Sequence, residues 1–351
     1  MSARPGNFFE DFRIGAVLNH ATPRTLTTGD TALYTALTGS RFALHSADTF
    51  ARACGLPQAP VDDMLVFHIV FGKTVPDVSL NAVANLGYAD GRWGVPVYPG
   101  DTLKTVSTVI GKRELSNGKA GVVWVESVGT NQRGETVLEY VRWVMVNKRD
   151  AASKPCEPEV PTLPEAVDAT TLQVPAGLDL SGYDVAAAGD VRLWEDIAAG
   201  DRIDHVDGMA IEEAEHQMAT RLYQNTAKVH FDLHRASETR FGRRIVYGGH
   251  VISLARALSF NGLANACRLV GLNGGRHTAP SFAGDTIYAW SEILEKAALK
   301  GRTDAGAVRI RTVATKNCPC EDFPDLGEDG KDDPAKVLDL DTWVLMPRRA
   351  G

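Results

Sequence analysis

Two tandem copies of one α+β unit are predicted by this sequence, and three observations carry the prediction. The chain repeats itself: Phe9-Glu10-Asp11-Phe12, Gly15, His20 and His45 return at a constant offset as Trp194-Glu195-Asp196-Ile197, Gly200, His205 and His230. Arg92, Pro96, Tyr98 and Gly100-Asp101-Thr102 return as Arg276, Pro280, Phe282 and Gly284-Asp285-Thr286, and Trp143-Val144-Met145 returns as Trp343-Val344-Leu345. A single duplication of this length is a fused pair of domains rather than a solenoid. Each half also holds one long apolar helical run followed by three β-branched runs. Finally, strands and helices do not alternate, which leaves a helix lying on an antiparallel sheet. Two such units point to sheets joined edge to edge.

The first half, residues 1–149, opens with a polar lead-in to a short helix at 31–38, then an irregular stretch containing His45. The apolar run 63–74 reads as its main helix, and 101–110, 121–130 and 136–146 read as strands. The second half, residues 191–351, repeats the order. A helix at 212–223 precedes an irregular stretch with His230. A long helix at 249–267 carries Val251, Leu254, Leu258 and Leu263 on one side, and strands follow at 285–294, 307–315 and 337–346. Between the halves, residues 150–190 hold Pro155, Pro158, Pro161, Pro164 and Pro175 and little periodicity, which reads as an extended, semi-stiff linker. Residues 321–335, rich in Asp, Gly and Pro, form a surface loop and account for the larger offset at the paired tryptophans.

At 351 residues the chain is long enough for two cores. A net charge of −7 and a pI near 5.7 argue against a nucleic-acid partner, since phosphate binding needs a basic face. An anionic small ligand needs only a few local cations and stays open. The five cysteines, Cys54, Cys156, Cys267, Cys318 and Cys320, are an odd number without framework spacing. Cys318-Pro319-Cys320 is too tight for a zinc knuckle and faces no second pair, so no metal is expected and the thiols read as free in a reducing cytoplasm. No apolar leader or membrane-length run is present, so neither secretion nor a membrane partner is expected.

The segment Tyr223-Gln224-Asn225-Thr226-Ala227-Lys228-Val229-His230-Phe231-Asp232, followed by Ile245-Val246-Tyr247-Gly248-Gly249, resembles the signature of the MaoC-like, or (R)-specific enoyl-CoA hydratase, family. Gly284-Asp285-Thr286 resembles the tripeptide that opens the next strand in that family. The resemblance covers both halves and leaves out only the linker and the acidic loop. It implies a double hotdog, two tandem hotdog units each with a long helix on an antiparallel sheet, and an acyl-CoA substrate with no cofactor. The family pattern sets a catalytic Asp five residues before a catalytic His, then a His-Gly-Met at the start of the central helix. Here His230 falls on the family histidine and Gly248 on its glycine. Asn225 stands at the Asp position, and Tyr247 stands at the first position of the His-Gly pair. The runs FFEDFRIGAVLNHATPRTLT, LVFHIVFGKTVPD, LEYVRWVMV and SFAGDTIYAWSEIL resemble the double-hotdog branch that interconverts mesaconyl-CoA and water with β-methylmalyl-CoA.

Hydrating an α,β-unsaturated thioester needs a base for the attacking water, an acid for C2 and donors for the thioester oxygen as it gains enolate charge. A lone histidine is usually structural, but His230 within this pattern suits the proton traffic. The Gly248 N–H, at the positive end of the following helix, suits the oxyanion. Asn225 can orient water but cannot take its proton. Either His230 serves both steps or a carboxylate arrives from elsewhere, with Asp232, Asp62 and Asp63 as candidates.

In the first half Ser40 replaces Asn225 and Asp63 replaces Gly248. That copy reads as noncatalytic, with His45, Asp62 and Asp63 expected to join Tyr247 in lining the acyl-CoA cleft. A mesaconyl group carries a free carboxylate, and Arg243, Arg244 or Arg276 is expected to hold it, the CoA phosphates being the rival target. His20 and His205 recur in both copies, which favours a role in the fold, and His250 reads as a packed first-turn residue. Hydration of other (R)-enoyl-CoA chains, acyl-CoA thioester hydrolysis on the same fold and nonenzymatic acyl-CoA binding stay open. Association into a homodimer is also expected.

Overall fold

Four long antiparallel strands, one more than the sequence pattern predicts, build the sheet of each half in the computed structural model, which describes residues 6–349. The first half contributes β1 (Val17–Asn19), β2 (Arg24–Thr25), β3 (Ala82–Trp93), β4 (Thr102–Glu114), β5 (Ala120–Thr130) and β6 (Thr136–Asn147). The second contributes β7 (Arg202–Asp204), β8 (Met209–Ala210), β9 (Arg268–His277), β10 (Thr286–Ala298), β11 (Ala305–Lys316) and β12 (Lys336–Pro347). They form one 12-stranded sheet in the order β1-β4-β5-β6-β3-β9-β12-β11-β10-β7, with β2 on β4 and β8 on β10. The order reads the same from either edge, as a duplicated unit requires.

The extra strands, β3 and β9, form the seam. Tyr88 pairs with Gly275, Ala89 with Gly274 and Arg92 with Gly271. Their glycines imitate a turn signal in the sequence, but they serve close packing. A Cβ on Gly87 would lie 2.3 Å from the Trp143 ring, and one on Gly91 would lie 2.7 Å from Leu272 Cβ.

The main helices are α1 (Thr28–Thr38), α2 (Asp63–Thr74), α3 (Glu213–Leu222) and α4 (Gly248–Leu258). A capping box explains the start of α1: Thr27 Oγ1 accepts from Asp30 N, and the Asp30 carboxylate accepts from Thr27 N. α2 packs on β4, β5 and β6, and α4 on β10, β11 and β12. Both contribute to one core that includes Met64, Phe67, Val70, Val251, Leu254 and Leu258. Every residue of α2 is buried, which explains its unbroken apolar character. The predicted helix 249–267 is shorter in fact. α4 ends at Leu258, a turn at Phe260–Leu263 is broken at Asn261 and Gly262 (φ 94°), and β9 begins at Arg268.

The segment predicted as an extended linker is a packed strap. Its Val167, Leu178, Leu180 and Ala188 are buried against Leu44, Phe50, Trp343 and Leu345. Trp343 Nε1 donates to Val167 O at 3.1 Å, and Val167 N to Asn273 Oδ1 at 2.8 Å. The paired histidines act alike: Nε2 of His20 meets Ser107 Oγ, and Nε2 of His205 meets Ser291 Oγ, each at 2.8 Å. His250 is buried in the first turn of α4. All five cysteines are free. Among the described residues, no cluster of metal-ligating side chains occurs and no helix is long and apolar enough to cross a membrane.

Candidate active site

The head of α4 is built to present bare backbone donors. Tyr247 occupies the N-cap position without a side-chain cap, so the first amides of the helix, at Gly248 and Gly249, have no intrahelical acceptor. The lead-in is clamped on both sides, Ile245 N donating to Val229 O at 3.1 Å and Val246 N to Ser281 O at 2.9 Å. His230 closes a 3₁₀ turn at Lys228–His230, and its Nδ1 lies 2.9 Å from Ile245 O. A carbonyl can only accept, so Nδ1 carries the hydrogen and Nε2 presents a lone pair. Burial pushes the His230 pKa down to about 4 against the opposing backbone bond, leaving a neutral imidazole at physiological pH. The Tyr247 ring flanks it, centroids 5.6 Å apart. Asn225 accepts from Ala227 N through Oδ1 at 2.9 Å, which leaves its Nδ2 hydrogens to donate.

These residues face a cavity of about 390 Å³ that the two halves share. Asn225, His230, Tyr247, Gly248, His277 and Ser281 form the second-half wall, while Phe71, Ser79, Ala84, Asn85, Tyr88 and Arg142 form the first-half wall. No Asp or Glu is among the lining residues. A Cβ on Gly248 would lie 2.6 Å from the His277 imidazole, so any side chain there must displace that ring. Buried polar atoms around the cavity have no partner: His277 Nε2, Ser281 Oγ and Tyr247 OH on one wall, and Arg142 Nε and Nη1 with both amide atoms of Asn85 on the other. A second cavity of about 540 Å³ is also lined by Asn225, together with Lys73, Arg221, Gln224 and Thr226. Lys73 Nζ donates to Gln224 there, and burial lowers its pKa to about 8.

Of the expected site residues, Asn225, His230, Tyr247 and Gly248 are thus brought together. His45, Asp62 and Asp63 do not join them, which corrects their expected place in the cleft. His45 repeats the His230 arrangement, with Nδ1 3.2 Å from Pro60 O, but its Nε2 faces Asp63 Oδ2 at 3.4 Å. Asp63 also pairs with Arg268 Nη1 at 3.2 Å and accepts from Leu269 N at 2.9 Å. Burial opposes the charge on both partners, yet Arg268 and His45 hold the Asp63 pKa below the usual range, and Asp63 raises that of His45. Asp62 caps α2 through Met64 N at 2.9 Å. Asp232 caps the short helix Leu233–Ser237. None of these carboxylates lines the cavity, so none is placed to assist His230.

The three expected arginines are also elsewhere. Arg243 stacks over Phe282 at 4.0 Å, Arg244 pairs with Glu213, and Arg276 pairs with Asp332 at 2.5 Å. Strand alternation turns Arg276 to the opposite face from His277, so the neighbour, not the arginine, reaches the cavity. Sequence reasoning missed His277, Asn85 and Arg142. Asn85 lies in the unpredicted β3. Arg142 carried a readable signal, a lone cation between Tyr140-Val141 and Trp143-Val144-Met145, standing where the other copy has Thr342.

Comparison with known proteins identifies the family. Residues 2–320 match the family model described as mesaconyl-CoA hydratase. The chain is 65% identical over 351 residues to a β-methylmalyl-CoA dehydratase of Chloroflexus aurantiacus, covering 99% of this chain and 100% of that one. It is 58% identical over 348 residues to a mesaconyl-CoA hydratase of Cereibacter sphaeroides, covering 99% and 100%. A solved MaoC domain protein from Chloroflexus aurantiacus superposes with a TM-score of 0.96 at 65% identity, covering 99% of each chain. A Mycobacterium tuberculosis protein described as a double hotdog superposes at 0.75 with 24% identity over 97% of this chain and 98% of that one, which speaks for the fold alone. The chain is a double hotdog and belongs to the mesaconyl-CoA hydratase family.

Proposed function

We propose that this chain is a hydro-lyase that adds water reversibly to mesaconyl-CoA, giving β-methylmalyl-CoA. The observation that carries the reading is the juxtaposition, in one cavity, of a neutral His230 with a free Nε2 and the uncapped Gly248 amide. The thioester oxygen accepts from the Gly248 N–H, which stabilises the enolate as it forms. His230 Nε2 takes a proton from water as oxygen bonds to C3 and the π-electrons move toward the thioester. Asn225 Nδ2 donates to that water and fixes its orientation. The imidazolium then returns the proton to C2, so one histidine closes the cycle and no carboxylate base is needed. Dehydration runs the same steps backwards. The first half is noncatalytic and supplies the opposite wall. The second cavity, with Lys73 and Arg221, suits the anionic arm of CoA.

Incubation of the purified chain with mesaconyl-CoA tests the proposal. Loss of enoyl absorbance without release of free thiol is the expected result. Thiol release would identify a thioesterase, and no reaction with either readout would end the hydratase reading.

A further inference from the structure

Arg142 is a buried charged group with no carboxylate partner among the described residues. It sits in β6 and is 0% exposed. Nη2 donates to Thr74 Oγ1 at 2.6 Å and reaches Ser79 Oγ at 3.4 Å, while the guanidinium lies over the Phe71 ring at 4.2 Å. Those contacts fix the side chain but do not neutralise it. Asp77, in the same turn as Ser79, is paired with His20 at 2.8 Å. Among the described residues, the buried cations Arg268, Lys148 and Lys336 are paired with carboxylates, of Asp63, of Glu114, and of Asp325, Asp332 and Asp339, whereas the buried ammonium groups of Lys73 and Lys112 rest on neutral oxygens of Gln224 and Phe12. A buried charge without a counter-ion is strongly unfavourable. This one lines the cavity with Nε and Nη1 unpartnered, beside an Asn85 amide that is also unpartnered.

The substrate chemistry supplies what is missing. In mesaconyl-CoA the free carboxylate is attached to C3, the carbon that water attacks, at the end of the acyl group away from the thioester. With the thioester oxygen on Gly248 and C3 beside His230, both on the second-half wall, the carboxylate points to the first-half wall. We propose that Arg142, assisted by the Asn85 amide, is the site that binds this carboxylate and makes the enzyme specific for dicarboxylic acyl-CoA thioesters. The inference rests on the hydratase reading above. It assigns substrate selection to the half that performs no catalysis. It also replaces Arg243, Arg244 and Arg276, which are engaged in other contacts.

Two variants and two substrates test it. Arg142→Met should lower kcat/KM on mesaconyl-CoA by about tenfold to a few hundredfold, the range for a charge-assisted hydrogen-bonded pair. Its hydration of crotonyl-CoA, which lacks the carboxylate, should hold or rise. Arg142→Lys should fall between wild type and Arg142→Met on mesaconyl-CoA. Equal losses on both substrates in a folded variant, or no loss on either, would overturn the assignment. An arm independent of variant folding uses the wild-type chain. Succinyl-CoA, a saturated dicarboxylic thioester, should inhibit crotonyl-CoA hydration at least about tenfold more strongly than butyryl-CoA, and equal inhibition would overturn the proposal. A wild type that ignores mesaconyl-CoA would instead defeat the proposed function, while the inhibitor ratio still judges the carboxylate site.

Discussion

At the head of α4 the chain has Gly248, with Ala84 across the seam. At the equivalent head of α2 it has Asp63, with Arg268 across the seam. The registers make these pairs correspond, since Ala84 pairs with Met145 and Arg268 with Leu345, which the repeat aligns. Helix, sheet and histidine are the same in both places. Two small residues leave a cavity with bare amides. A carboxylate and a guanidinium fill the same space with a buried ion pair, and Asp62 caps the helix besides. Even the residue above the helix differs: His277 sits over Gly248, whereas Trp93 Nε1 donates to Asp63 O at 3.0 Å. On the proposed mechanism, the difference teaches that activity is not a property of the hotdog unit but depends on which head of helix is left uncapped and unfilled.

The sharpest way to break the comparison is to carry the first half's residue into the second. Gly248→Asp places a Cβ against His277 and a carboxylate where the oxyanion forms. It should lower kcat by more than about 10³, beyond the loss of a single oxyanion donor. Circular dichroism should show a folded chain. A variant that keeps a tenth of the activity would mean that the oxyanion is held elsewhere.

The reciprocal experiment acts on stability. Asp63→Ala strands the Arg268 charge in the core and should destabilise the chain by about 3–5 kcal/mol. Arg268→Ala strands Asp63 in the same way, and the double variant should recover much of either loss, because it buries no orphan charge. Denaturant titration of the four proteins gives the coupling. Additive losses would show that the two residues are not energetically a pair.

The paired histidines should separate the halves by rate. His230→Ala should reduce kcat by at least about 10², the range of a positioned general acid–base, whereas His45→Ala should change it by less than about tenfold and act mainly through stability. Equal rate losses would mean two working sites.

Much of this was legible in the sequence because the chain carries its own control. The duplication, the order of helix and strands, and Asn225, His230, Tyr247 and Gly248 all follow from local pattern and resemblance. The seam strands were not legible, since a glycine that permits close approach looks like a glycine that makes a turn, and Gly87 and Gly91 read alike until Trp143 and Leu272 are in place. The carboxylate candidates failed for a related reason. A sequence shows that Asp63 stands at a helix head, but not that Arg268, far along the chain, reaches across to neutralise it. Arg243, Arg244 and Arg276 drew attention by proximity in sequence to the motif, while Arg142 lies in the other half and meets the site only through the joined sheet.

The smallest expected effect is a difference in titration. Burial pushes His230 down to about 4, while Asp63 raises His45 above its ordinary value despite burial. The base form of His230 therefore persists well below neutral pH, and kcat/KM should stay level from about pH 8 down to 5, with an acid limb centred near 4. Stability sets the lower bound of that measurement. His205, His230, His250 and His277 all have pKa values near 4 in the folded chain, against about 6.5 when unfolded. Between those values the unfolded chain binds more protons, so the stability they contribute is complete above about 6.5 and is lost as pH falls toward 4. His45 has the opposite sign. Its contribution is present below about 6.5 and fades as pH rises through its elevated folded value. Rates must accordingly be read within seconds of a pH jump, before acid unfolding intervenes. In His45→Ala the acid limb should remain near 4, since that residue is outside the cavity. A wild-type limb centred near 6.5 would show that the catalytic base is not a buried neutral His230.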